Sequence, residues 1–161
     1  LKTCFKICLL LLVTHPTQSF AETNDCVKEL YEYGRSFTPE KLGSNIVKKT
    51  YTKANENGTP GENIFWTTHT SKQNWITTYA CKSCSPKKGI SELFLIGDRP
   101  LPCGLKIYMS EIDITNKIGS PELKQDSNLI YAYPPLEKNQ EIRLQLRDGK
   151  FYAIHWLFYL D

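Results

Sequence analysis

Apolar and polar positions alternate along most of this chain, and the period changes once. Near the start, "NDCVKELYEYG" (24–34) has Val27, Leu30 and Tyr31 on one helical face, a capping Asn24 or Asp25, and Gly34 as a stop. "TPEKLG" (38–43) reads as a single helical turn, with Pro39 at its first position and Gly43 ending it. Beyond Gly43 the period falls to two.

The segments 46–54, 64–70, 74–80, 90–96, 104–115 and 129–133 are rich in β-branched and aromatic residues. "SKQ" joins 64–70 to 74–80 as a hairpin, and the cluster "NENGTPGEN" (55–63) punctuates the chain before it. "GLKIYMSEIDIT" (104–115) sets Leu105, Ile107 and Met109 against Lys106, Tyr108 and Ser110, which predicts a strand.

The clearest unit is 141–160. Ile142, Leu144 and Leu146 share one face, and Asp148-Gly149 is the favoured two-residue hairpin turn. The returning strand "KFYAIHWLFYL" is apolar on both faces, with Tyr152, Ile154, Trp156, Phe158 and Leu160 on one side and Phe151, Ala153, His155, Leu157 and Tyr159 on the other. That composition predicts a central strand or one covered on both sides. A membrane-inserting hairpin has the same composition. The pattern predicts a mainly β fold: an antiparallel β-sandwich of seven to eight strands with a short N-terminal helix, a partly closed β-barrel being the alternative.

The first residues change the picture of compartment. Lys2 and Lys6 precede the apolar run "ICLLLLV" (7–13), which is too short to span a bilayer, and Ser19 and Ala21 suit signal-peptidase cleavage. The expected division is a signal peptide, 1–21, and a single domain, 22–161. Position 1 is Leu, which reads either as a fragment or as a non-ATG start, the latter pointing to a bacterial frame. Export places the product in the periplasm or the medium.

Of 161 residues, 140 follow Ala21, enough for one domain with a real core. The chain's 20 Lys+Arg and 17 Asp+Glu give +3; the leader takes Lys2, Lys6 and no acid, leaving 18 against 17. A net charge of +1 lacks the dense positive face that nucleic-acid binding needs.

Four cysteines lie after Ala21: Cys26, Cys81, Cys84 and Cys103. "CKSC" (81–84) has thioredoxin spacing, but "SPKKGIS" follows it, and no helix is available to lower the Cys81 thiol pKa. Zinc needs a second paired knuckle, and Cys103 stands alone. An even cysteine count in an oxidising compartment implies disulfides. The preferred pairing ties Cys26 to one of Cys81 and Cys84, and Cys103 to the other. No cofactor or metal is expected.

Candidate chemistry is sparse. Glu111 and Asp113, two apart on the expected strand, would share a face about 7 Å apart and could hold a cation or act in hydrolysis, with His155 as a third member, although a solvated strand face is the preferred reading. His155 among aromatics reads as a packed, singly hydrogen-bonded imidazole. His69, out of phase with Ile64 and Trp66, is expected toward solvent.

Trp66 and Trp75 could form a platform for sugars or peptides, core packing being the commoner use of tryptophan. "KSCSPKKG" (82–89) presents Lys82, Lys87 and Lys88 on a covalently pinned loop, which loses less entropy on binding. The sequence therefore points to an exported binding protein acting through loops and a sheet edge on a protein or glycan partner. The competing readings are a small exported hydrolase using Glu111 and Asp113, and a membrane-active toxin using the 141–160 hairpin.

Overall fold

A computed structural model describes residues 20–55, 61–133 and 140–158. The expected signal peptide lies outside the described residues except for its last two positions. Helix α1 spans Phe20–Arg35 and is followed by a 3-10 turn at Pro39–Leu42. Four strands come next: β1 (Val47–Ala54), β2 (Asn63–Ser71), β3 (Asn74–Ala80) and β4 (Lys88–Ile96). A short 3-10 turn at Pro102–Gly104 leads to α2 (Glu111–Ile118). The remaining strands are β5 (Leu123–Gln125), β6 (Asn128–Ala132), β7 (Gln140–Arg147) and β8 (Lys150–Phe158).

All eight strands join one antiparallel sheet in the order β1-β2-β3-β4-β8-β7-β6-β5. The strand number, antiparallel pairing and N-terminal helix are those the sequence predicts. The sheet has two edges, β1 and β5, and is not closed into a barrel. The doubly apolar β8 is central, between β4 and β7. Asp148 and Gly149 both take positive φ (52° and 71°), as the tight turn between β7 and β8 requires.

Both helices pack on one face of the sheet. Val27 and Leu30 of α1 and Ile114 and Ile118 of α2 cluster with Ile76, Leu93, Ile142, Leu144, Ile154 and Trp156. These strand residues face one another across the ladders: Ile76 opposite Leu93, Leu93 opposite Trp156, and Trp156 opposite Ile142. Two β-bulges adjust the register. Ser91 is the extra residue of β4, and Tyr152 is the extra residue of β8. The second bulge changes the predicted facing: Phe151 joins the helix-side core with Leu146, separating it from Ala153 and His155.

The segment 104–115 is not a strand. Ser110 accepts the Asp113 backbone N–H, and the Asp113 carboxylate accepts the Ser110 backbone N–H, a capping box that starts α2. Ile114 and Ile118, four residues apart, then bury the helix. What survives of the β reading is local: the Tyr108 N–H donates to the Phe151 carbonyl (2.7 Å), and the Phe151 N–H donates to Met109 (2.8 Å).

The cysteines pair as Cys26–Cys103 and Cys81–Cys84, with Cα–Cα distances of 5.7 and 5.4 Å. The expected cross-pairing is thus incorrect, and topology explains why. Cys81 and Cys84 both lie in the β3–β4 connection, whereas α1 packs against the Pro102–Gly104 turn that carries Cys103. Each cysteine meets the partner its own neighbourhood supplies.

Candidate functional site

The face of the sheet opposite the helices carries two aromatic clusters. In the first, Trp75, Phe94 and His155 are direct cross-strand neighbours on β3, β4 and β8. Trp75 and Phe94 stack with ring centroids 4.0 Å apart and planes 15° from parallel. His155 meets both rings edge-on, at 6.0 and 5.5 Å. Its Nε2–H donates to Glu92 Oε1 at 2.7 Å. That hydrogen bond holds the Glu92 carboxyl below the ordinary carboxylate range, against the opposing pull of burial.

Among the described residues Glu92 is the only hydrogen-bond partner found for the imidazole, so His155 is the packed, singly bonded histidine expected. Only 15% of its side chain is exposed, and the described residues place no serine or cysteine against it as a nucleophile. Its ring props the Trp75–Phe94 stack.

The second cluster crosses β1, β2 and β3 in register: Tyr51 opposite Trp66, and Trp66 opposite Tyr79. Tyr51 and Trp66 lie nearly parallel (9°, 6.4 Å), and Tyr79 is tilted against Trp66 at 6.0 Å. The buried Trp66 Nε1–H has no hydrogen-bond partner among the described residues. Between the clusters, the Thr68 and Thr77 hydroxyls share a 3.1 Å hydrogen bond. Trp66 and Trp75 thus both lie on the open face; the tryptophan of the core is Trp156, with no exposed surface. His69, expected toward solvent, is half-buried on the helix-side face, opposite Ile76.

At the β2–β3 turn the open face carries a shallow groove of about 380 Å³, lined by Thr70, Lys72, Gln73, Trp75, Arg147 and Tyr152 among others. The Arg147 guanidinium lies over the Tyr152 ring at 4.2 Å. Among the described residues no carboxylate lines the groove. Glu92, Phe94, Arg147 and Tyr152 were not singled out by the sequence. The available signal was register: a two-residue turn between β2 and β3 fixes which residues of the hairpin share a face, and Arg147 and Tyr152 flank the Asp148-Gly149 turn.

The β3–β4 connection is held at several points beyond its disulfide. Glu62 accepts the Ser83 backbone N–H at 2.7 Å and also the Ser83 hydroxyl. The hydroxyl bond is the main cause of the lowered Glu62 pKa. The Cys81 N–H donates to Lys87 O at 2.8 Å, and the Tyr79 hydroxyl donates to Pro86 O at 3.3 Å, so the loop adjoins the Trp66–Tyr79 cluster. Lys82, Lys87 and Lys88 are exposed, with no ion pair among the described residues.

The carboxylate pair of the sequence reading does not assemble. Glu111 and Asp113 stand on α2, where residues two apart point in nearly opposite directions. Asp113 is consumed by the capping box, which lowers its pKa chiefly through the Ser110 hydroxyl, and Glu111 pairs with Lys124 at 2.6 Å. Both sit on the helix side of the sheet, across from His155. No three His, Cys, Asp or Glu side chains among the described residues are placed to share a metal ion.

Fold and site define an antiparallel, disulfide-bonded sheet protein with helices on one face and aromatic rows on the other. Compared with known protein families, curated proteins and solved structures, the chain matches none.

Proposed function

We propose that this is an exported binding protein that recognises a glycan or protein partner with the open face of its sheet. The observation that carries this reading is the position of Trp66 and Trp75, held in register by Tyr51, Tyr79, Phe94 and His155 on the face that neither helix covers. Rigid aromatic area with polar edges binds at low cost in conformational entropy.

Two disulfides support an oxidising compartment, and the leader-like pattern of residues 1–21 supports export. No helix among the described residues is long and apolar enough to cross a membrane. The pinned loop with Lys82, Lys87 and Lys88 borders the same face and would add salt-dependent attraction for an acidic partner.

The test is a screen of the purified protein against glycan panels and surface-protein extracts, repeated with Trp75→Ala and Trp66→Ala. A partner captured by the wild type should be lost or strongly weakened in at least one variant. Equal capture by both would remove the open face as the contact. Triple replacement of Lys82, Lys87 and Lys88 should weaken capture at low salt and matter little at high salt.

A further inference from the structure

Resting on the reading of the open face as a ligand surface, we propose that the groove beside Trp75 is a subsite for a carboxylate-bearing sugar. The ring would stack on Trp75, and Arg147 and Lys72 would hold the carboxylate.

Charge argues for the acid. Among the described residues the groove holds two cations, Lys72 and Arg147, and no anion. Neither has a carboxylate within 4.0 Å among the described residues, and Asp148, next to Arg147 in sequence, makes no ion pair with it. Glu92, the carboxylate nearest the stack, is turned to His155 rather than to either cation. Arg147 is also positioned beforehand. Its guanidinium rests on Tyr152, the bulge residue of β8, which limits its rotamers while leaving the N–H edge for a planar anion.

Shape and polarity argue for the sugar. Trp75 is half-buried and backed by Phe94 on the neighbouring strand, so it offers a rigid flat surface to the C–H face of a pyranose. Thr70 and Gln73 place a hydroxyl and an amide at the rim, matching the mixed donors and acceptors of ring hydroxyls. The groove, about 380 Å³, is shallow and open to solvent, as suits a sugar ring stacked on one side only.

The experiment is calorimetric titration of the purified protein with tetragalacturonate, with neutral galactotetraose and with tetraglutamate. Tetragalacturonate should bind at least about tenfold more tightly than either of the others, since a charge-assisted bond to an anion is worth more than a neutral one. Arg147 is exposed, so Arg147→Gln should keep the fold, verified by near-ultraviolet circular dichroism, and should abolish the preference for the acid. Trp75→Ala should weaken both sugars together.

Equal affinity for acidic and neutral sugars, or no binding of tetragalacturonate, overturns this proposal. Tetraglutamate binding as tightly as tetragalacturonate also overturns it, because the groove would then read charge alone. The broader reading fails on a different result, namely partner capture that is indifferent to both Trp66 and Trp75.

Discussion

The indole N–H of Trp156 donates to the main-chain carbonyl of Leu30 at 2.9 Å, joining β8 to α1 across 126 positions of sequence. The helix can approach this closely because Gly34, one turn later, lies over the same indole. A Cβ at position 34 would stand 2.6 Å from Trp156 Cδ1. Gly34→Ala should therefore destabilise by about 1–3 kcal/mol, overriding the gain of up to about 1 kcal/mol in helix propensity. Urea unfolding followed by tryptophan fluorescence measures it, and a stabilised variant would show that α1 does not sit against Trp156.

The two disulfides should differ in worth. Cys26–Cys103 spans 77 residues and Cys81–Cys84 only 3. In the chain-entropy account they contribute about 4.5 and about 2 kcal/mol respectively. Paired alanine replacements compared by guanidinium denaturation should reproduce that order, with the Cys26/Cys103 variant the weaker. Thiol titration of the native protein should find none of the four reactive.

Stability should fall on acidification through Glu92. Its carboxyl is held below the ordinary value by the His155 hydrogen bond, so the unfolded chain takes up this proton first as pH drops. The contribution is present above the ordinary carboxyl value of about 4.3 and disappears as pH falls through the lower, folded value. Thermal midpoints measured between pH 6 and 3 should fall more steeply for the wild type than for Glu92→Gln. Parallel curves would contradict the pairing.

Ser110 separates the helical from the strand reading of 104–115. Loss of its cap should cost about 1 kcal/mol in Ser110→Ala. Were the segment a strand, half-buried Ser110 would cap nothing, and its replacement would change stability little. Equilibrium unfolding decides.

Much of the architecture was legible in the residues. The β2–β3 and β7–β8 hairpins follow from turn chemistry and period two, and the central place of β8 follows from its doubly apolar composition. The alternation Leu105-Ile107-Met109 misled because a capping motif ends it: Ser110-x-x-Asp113 followed by Ile114 and Ile118 is a helix start lodged inside a strand-like pattern. The three-residue β5 is too short to carry a period. The site was half legible. Trp66 and Trp75 could be named, but their companions Glu92, Phe94, Arg147 and Tyr152 come from other strands, and two bulges shift the register that would predict them. The cysteine pairing depends on where α1 docks, a long-range fact that spacing does not encode.

The order of strands has a consequence for biogenesis. β1 to β4 and β5 to β7 are each built from neighbours in sequence, yet they meet only through β8, made after all the others. A chain emerging from a ribosome or a translocation pore holds two unfinished half-sheets, each with an apolar flank bare, until residues 150–158 arrive and close the seam. Closure of the whole sheet therefore waits for β8, and truncation within β8 should leave the protein dependent on holding chaperones.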